Sequence, residues 1–336
     1  MIRRIVITLF VCALCLPAQT KKIIAYRMSD EMVADLQTAT NKAKIVAAGR
    51  DSVMREIADA DAFIGSITPE QVRAGRKLKW VATRSAGVER VLHLSGGNDL
   101  RDSDIVLTNN QVVQGPEIAD HAMAMLLALT RDLPKYLKRK ENEEWQSRPL
   151  NVYELNTKTA VVIGVGGIGR QIAIRAWAHG MKVIGVDPED MPFVPYMERV
   201  VKPDQLDDVI PLADVVFMAA PHTPASHKMV GSSQFEMMKR GSRFIAVSRG
   251  GTYDLNGLIK ALDSRRLAGA GVDVTDPEPL PKGNALWKFD NVIITPHIAG
   301  RSDLDAARMT GTIKENIVRF VDGKPLINVV NKQKGY

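Results

Sequence analysis

Cysteine is almost missing from this chain. The 336-residue sequence holds two, Cys12 and Cys15, and both fall inside one apolar run near the N-terminus. Without that run nothing remains to form a disulfide, act as a thiolate nucleophile or bind metal through sulfur. Metal is not expected through histidine either, because none of the six stands at ligand spacing from another with a carboxylate beside it. Aromatic residues are scarce, at 5%, and no long basic block interleaves with them. The formal net charge of +7 therefore does not describe a nucleic-acid surface, although it can help to draw in small anions. Internal repeats and low-complexity tracts are absent, which leaves a globular chain long enough for one large α/β unit or two domains.

The N-terminus differs in kind from the rest. Arg3 and Arg4 precede an apolar stretch over residues 5–16, followed by Pro17, Ala18 and Gln19. This layout predicts a secretory signal peptide over residues 1–18, cut after Ala18. The apolar part is short for a membrane span, which needs about 20 residues, so no membrane attachment is expected after cleavage. The expected location is periplasmic or secreted, and cytoplasmic if the signal is not used. The alternative is a misassigned start or a buried first strand, but Lys21 to Tyr26 already supplies a good strand.

The richest signal lies mid-chain. An apolar run from Thr159 leads into Gly164, Gly166, Gly167, Ile168 and Gly169, and helix-forming residues follow at once. A second apolar run then ends in Asp187, about twenty residues on. Strand, G-x-G-x-x-G, helix, strand and acid in this order describe a dinucleotide-binding βαβ unit. Gly164 permits the tight turn, Gly166 admits the pyrophosphate, and Gly169 lets helix and strand pack closely. The helix N-terminus offers unpaired N–H groups to the phosphates. Asp187 can accept from both ribose hydroxyls and would repel a 2′-phosphate, so NAD is the expected cofactor.

Before this unit, short apolar runs near Ile23, Ile45, Phe63, Val81 and Leu107 alternate with helical stretches, the pattern of a parallel sheet. A helix apolar on most sides is expected from Pro116 to Thr130. Further strands are expected over residues 214–218, 243–247 and 292–295, and a helix over 302–320. The glycine-rich unit thus begins mid-chain with an α/β region before it and a helix after it. The simplest architecture is two lobes, one assembled from both ends of the chain and the cofactor lobe inserted between them.

Three titratable side chains follow the glycine motif in short punctuated segments: Arg249, Glu278 and His297. Arg249 and His297 sit just beyond expected strands, where open α/β sheets bind ligands. Reduction of a 2-oxo acid needs a cation for the carboxylate, which a guanidinium supplies with two parallel bonds. It also needs a proton donor at the ketone oxygen, which histidine supplies near neutral pH. A carboxylate behind the imidazole would orient it.

In these motifs the chain resembles the D-isomer-specific 2-hydroxyacid dehydrogenase family, over nearly all of residues 21–330. The matching residues run Ser85 to Glu89, Asn109 to His121, Glu154 to Thr159, Pro221 to Pro224, Ser248 to Gly250, Asp273 to Leu280 and Thr295 to Gly300. The resemblance implies an α/β fold of two Rossmann-like lobes, an NAD-binding domain (116–297) inserted into a discontinuous flavodoxin-like substrate domain (21–115 and 298–336). It implies that Arg249 binds the substrate carboxylate with backbone amides of Ala86, Gly87 and Val88, and that Glu278 and His297 form the acid–base pair. Pro221, His222, Ser248, Asp273 and Gly300 would border the cofactor, with Asp273 on the nicotinamide carboxamide. The substrate would be a small 2-oxo or 2-hydroxy acid and the assembly a homodimer formed around the long helix from Glu117. Thr275, Leu255 and Asp120 depart from the residues common in the family, but the acid, base and cation are all present.

The remaining histidines have plainer readings: His121 as a core residue, His93, His179 and His227 as surface or packing residues. Met123, Met125, Met237 and Met238 are expected in the core, and Trp287 either lines the active site or, the favoured reading, plugs the loop before the last strand. Two other functions fit the same fold: an NAD-sensing or partner-binding protein, or hydride transfer from a non-hydroxyacid such as formate or phosphite.

Overall fold

The computed structural model describes residues 20–147 and 152–336, so the expected signal peptide lies outside it. Two parallel sheets carry the fold. The first contains β1 (Lys21–Tyr26), β2 (Ala43–Ala48), β3 (Ala62–Ile64), β4 (Trp80–Ala82) and β5 (Val106–Thr108), in the order β2-β1-β3-β4-β5. The second contains β6 (Thr159–Ile163), β7 (Lys182–Val186), β8 (Arg199–Val201), β9 (Val215–Met218), β10 (Ser242–Ala246), β11 (Leu267–Val272) and β12 (Val292–Ile294), in the order β12-β11-β10-β9-β6-β7-β8. Strand order reverses beside β6, because β7 lies on one side of it and β9 on the other. A crevice at the carboxyl ends of such strands is where open α/β sheets take nucleotides.

Most strands are apolar runs buried on both faces, as parallel sheets require. Two strands had no such signal. β8 is a three-residue edge strand, and β11 reads Leu, Ala, Gly, Ala, Gly, Val, a composition poor in β-formers. Its glycines serve helix packing instead. A Cβ at Gly271 would lie 2.9 Å from Met125 Cβ, and one at Gly269 would lie 3.3 Å from Leu129 Cδ2. Met125 and Leu129 belong to the long buried helix Gly115–Thr130.

That helix also crosses the dinucleotide helix Gly167–Ala178, where a Cβ at Gly115 would meet Gly167 O at 2.8 Å. Met123, Met125 and Met238 are buried, and Met237 packs half-buried against the core of the second sheet. After β12 the chain returns to the first sheet. Helix Asp305–Val321 sets Ile313 and Ile317 into the cluster formed by Ile23, Trp80 and Ala82. Val330 N–H then donates to Leu107 O (2.9 Å), closing the edge of β5.

Candidate active site

The glycine loop shows why each glycine is there. Gly164 has φ +87°, and a Cβ on it would lie 2.5 Å from the backbone of Ala220 at the end of β9. At Gly169 a Cβ would fall 1.8 Å from Gly164 O. Gly166 caps the dinucleotide helix and faces open space, since a Cβ there meets nothing within 4 Å. Gly167 packs its Cα against Val112 of the other lobe, whose Cα a Cβ would approach to 2.5 Å. Ile168 is partly buried beside it. Asp187 is pinned by two backbone donors, Val165 N–H to Oδ2 (2.7 Å) and Glu189 N–H to Oδ1 (2.9 Å). Its carboxylate is thereby held at the end of β7, facing the turn that would carry the pyrophosphate. Open space at Gly166, the free helix N-terminus and this fixed carboxylate fit a dinucleotide.

Beyond β12 the chain makes an abrupt turn at His297, whose φ of +54° is rare for a residue with a Cβ. Its N–H donates to Asp273 O (2.8 Å). The ring reaches Glu278, Nδ1 to Oε2 at 2.9 Å, with both side chains partly open to the cleft. Glu278 is fixed in turn by Thr275 N–H, which donates to Oε1 (3.1 Å). A carboxylate only accepts, so Nδ1 carries the hydrogen and Nε2 is the atom left to exchange a proton.

Asp273 lies beneath this loop rather than in the cleft. It is 2% exposed, and its oxygens accept from Thr295 Oγ1 (2.6 Å), Ile298 N (2.9 Å) and Ala299 N (3.0 Å). Asp273 thereby holds the segment that carries His297. His121 belongs to the same network. Thr295 spends its hydroxyl proton on Asp273, so His121 Nε2, 2.9 Å from Thr295 Oγ1, must be the donor. His121, on its apolar helix, is thus satisfied by Thr295 in the segment that carries His297. The signal is invisible in spacing, because Thr295 lies 174 residues away.

Arg249 emerges beyond β10 and reaches the other lobe. Its Nε donates to Glu89 Oε1 (2.6 Å), its Nη1 to Ser248 O (2.8 Å), and Nη2 lies against Gly87, where a Cβ would stand 2.0 Å away. Glu89 is a site residue that its motif contained but its type did not advertise. Burial raises the carboxyl of Glu89, yet the adjacent Arg249 outweighs this and leaves it below the ordinary glutamate range. With Nε given to Glu89 and one Nη1 hydrogen to Ser248 O, the remaining Nη hydrogens are left for a ligand. Of the amides expected to help, Gly87 N–H is already near Ser85 Oγ (3.2 Å), and Ala86 is held through its carbonyl by Asn109 Nδ2 (2.7 Å). Val88 immediately precedes Glu89 and is buried.

The cofactor-border residues fall around the same crevice. Pro221 and His222 follow β9. Pro221 O accepts from Ser226 Oγ (2.5 Å), and His222 Nε2 pairs with His227 Nδ1 at 3.0 Å. Burial, His227 and Arg249 lower the pKa of the His222 imidazole. Ser248 is buried with an unpartnered Oγ, as is Asn110 with its Nδ2; an incoming ligand could satisfy such atoms. Gly300 O accepts from Gln114 Nε2 (2.8 Å), joining the His297 segment to the start of the long helix. Trp287 does not plug the loop before β12: it is 53% exposed, and its Nε1–H donates to Pro281 O (3.0 Å). No cluster of three or more His, Cys, Asp or Glu side chains suited to a metal occurs among the described residues.

Residues 123–299 match the family model "D-isomer specific 2-hydroxyacid dehydrogenase, NAD binding domain". The chain is 30% identical to D-3-phosphoglycerate dehydrogenase of Methanocaldococcus jannaschii over 90% of its own length and 56% of that protein's. It is also 30% identical to glyoxylate reductase of Korarchaeum cryptofilum, over 84% of this chain and 86% of the relative. It spans little more than half the length of the phosphoglycerate dehydrogenases it matches. Among solved structures, an NADPH-dependent glyoxylate/hydroxypyruvate reductase from Sinorhizobium meliloti, in complex with NADP and sulfate, superposes with TM-score 0.80 at 26% identity, covering 95% of this chain and all of that one. A D-isomer specific 2-hydroxyacid dehydrogenase family protein from Aeromonas salmonicida gives 0.79 at 28% identity, over 94% of this chain and 99% of that one.

The Glu89–Arg249 pair has a pH signature. A carboxyl whose folded pKa is depressed contributes stability above its unfolded pKa and loses it as pH falls through the folded value. Glu89→Gln should cost about 2 kcal/mol at pH 7, with the deficit shrinking below about pH 4. Urea unfolding of both proteins at pH 7 and pH 3.5 measures this, and a deficit that is equally large at both values contradicts the assignment.

Proposed function

The chain belongs to the D-isomer-specific 2-hydroxyacid dehydrogenase family, and on that premise we propose that it is an NAD-dependent oxidoreductase interconverting a small D-2-hydroxy acid and its 2-oxo acid, in the manner of a glyoxylate or hydroxypyruvate reductase. The observation that carries the proposal is the His297–Glu278 contact at 2.9 Å in the same cleft as Arg249 and the glycine loop.

Bound at the glycine loop, NADH would supply the hydride that reduces substrate C2. The protein does the rest. Arg249 holds the substrate carboxylate through its Nη edge, opposite the Ala86–Val88 backbone of the other lobe. Protonated His297 gives its Nε2 proton to the ketone oxygen as the hydroxyl forms, and Glu278 stabilises the charged imidazolium before that transfer. In the oxidative direction neutral His297 takes the proton back. Closure of the lobes excludes water and brings Gly87 onto the substrate. An acid–base pair aimed at a hydroxyl proton favours a hydroxy acid over formate, which has no such proton to exchange.

Following NADH and then NADPH absorbance with glyoxylate, hydroxypyruvate, pyruvate and phenylpyruvate tests the proposal. Turnover is expected with NADH, because the pinned Asp187 opposes a 2′-phosphate. Cofactor binding without turnover on any 2-oxo acid would favour a sensor. His297→Ala should lower kcat by about 10²–10⁴-fold. Arg249→Lys should raise KM and lower kcat together, because the bidentate fork is lost; near-normal rates in both variants would sink the mechanism.

We further propose a homodimer built around the long helix and the arm that follows it. Leu133, Leu137 and Trp145 are 46%, 61% and 100% exposed on that arm, more apolar surface than a solvated arm needs. Sedimentation should give a dimer that Leu137→Asp with Trp145→Ala converts to monomer; a monomeric parent protein contradicts it. For residues 1–18 we propose an export signal. N-terminal sequencing of the protein from the cell envelope or medium should begin at Gln19, and an intact Met1 found only in the cytoplasm would overturn that.

A further inference from the structure

The segment Asn331–Tyr336 plays no part in the reading above, yet it touches both lobes at the cofactor crevice. Its root is fixed in the first lobe. The Lys332 ammonium donates to the carbonyls of Leu100 (3.0 Å) and Ile105 (2.8 Å) and to that of Ser103. Its tip is fixed in the second. Tyr336 Oη donates to Glu189 Oε1 (2.9 Å), and Lys334 pairs with the same carboxylate. Between these anchors Gly335 is buried, its Cα pressed against His93 of the first lobe and Thr223 of the second; a Cβ would lie 2.7 Å from His93 Nε2 and 3.3 Å from Thr223 Cγ2.

The segment is short and internally closed. Gly335 N–H donates to Asn331 O (2.8 Å), and Asn331 N–H to Tyr336 O (2.9 Å). It cannot stretch without breaking these bonds.

Its landing points define where it runs. Thr223 follows β9 and Glu189 follows β7, and β6, which ends in the glycine loop, lies between those two strands. Two strand spacings are about 10 Å, a gap that one residue and a tyrosine side chain can bridge. The bridge ends beside Asp187, the acid for the adenosine ribose: Glu189 N–H is one of the two donors that pin it. Burial and the bond to Glu189 push the Tyr336 phenol up to about 12, and Asp187 adds to the shift, so the three groups share one neighbourhood.

We propose that Asn331–Tyr336 forms the outer wall of the adenosine end of the dinucleotide site, and that Tyr336 is a cofactor-binding residue that slows dinucleotide release. The inference rests on the dinucleotide reading of the glycine loop. Its chemistry is local to the purine nucleoside half, because no residue of the segment contacts His297, Glu278 or Arg249 in the bonds described above.

Binding measurements separate the wall from its alternatives without any turnover. NADH and reduced nicotinamide mononucleotide, which lacks the adenosine half, are titrated by fluorescence, and NADH release is timed by rapid mixing. Tyr336→Ala should raise the NADH dissociation constant about tenfold, a loss the size of one hydrogen bond with its packing, through faster release. Binding of the mononucleotide should not change. Tyr336→Phe, which keeps the ring and removes only the bond to Glu189, should show a smaller loss in the same direction. Unchanged NADH binding in both variants overturns the proposal, and tighter binding in Tyr336→Ala would make the segment a plug instead of a wall. An equal loss for both ligands would mean displaced lobes and also overturns it. Failure of the parent protein to bind NADH at all would remove the dinucleotide reading, an outcome distinct from each of these.

Discussion

A carboxylate buried at the end of β11 sets the geometry on which the site depends. Asp273 is almost fully withdrawn from water, and an uncompensated charge there would cost several kcal/mol. The chain meets that demand by wrapping residues 295–299 around it, so that Thr295, Ile298 and Ala299 all donate to its two oxygens. His297 sits at the crest of this wrap. Its left-handed backbone is held by its own N–H bond to Asp273 O and by the neighbours that Asp273 collects. The ring is thereby delivered to Glu278 with one nitrogen committed and the other free. His121, from the long helix, completes the network from below and couples the loop to the core.

The second constraint is that half of the site lies on each lobe. The acid–base pair and the glycine loop belong to the second sheet, whereas Gly87 and Glu89 belong to the first. Arg249 joins them through its ion pair with Glu89. An arginine oriented by Glu89 through Nε and by Ser248 O through Nη1 has its remaining Nη hydrogens preorganised for a planar carboxylate. The same pair gives the lobes a reason to approach, and Gly167 leaves room for the Val112 loop where they meet. The Arg249–Glu89 arrangement is therefore incomplete in either lobe alone.

Much of this was legible in the sequence because the features are local. A glycine turn between strand and helix, with an acid at the end of the next strand, is specified within about thirty residues. Arg249, Glu278 and His297 each follow a strand or flank a turn, and the resemblance supplied their order. What escaped is what the fold brings together from afar. Glu89 meets Arg249 across 160 residues, and His121 meets Thr295 across 174. β11 escaped because its glycines were chosen by the long helix that packs on it, against strand propensity. Nor did spacing show that Asp273 gathers the donors of residues 295–299. The 331–336 segment carries no motif, and its position matters only once both lobes exist.

The central claim is that this cleft moves a hydride between the nicotinamide and C2 of a 2-oxo acid. Incubation with NADH deuterated at nicotinamide C4, using each stereoisomer of the label, followed by NMR of the product, tests it most directly. One label should appear at C2 of a single D-2-hydroxy acid, with the hydroxyl proton drawn from solvent by way of His297. Cofactor that binds and keeps its deuterium in the presence of 2-oxo acids, or label arriving in both enantiomers, would contradict the account.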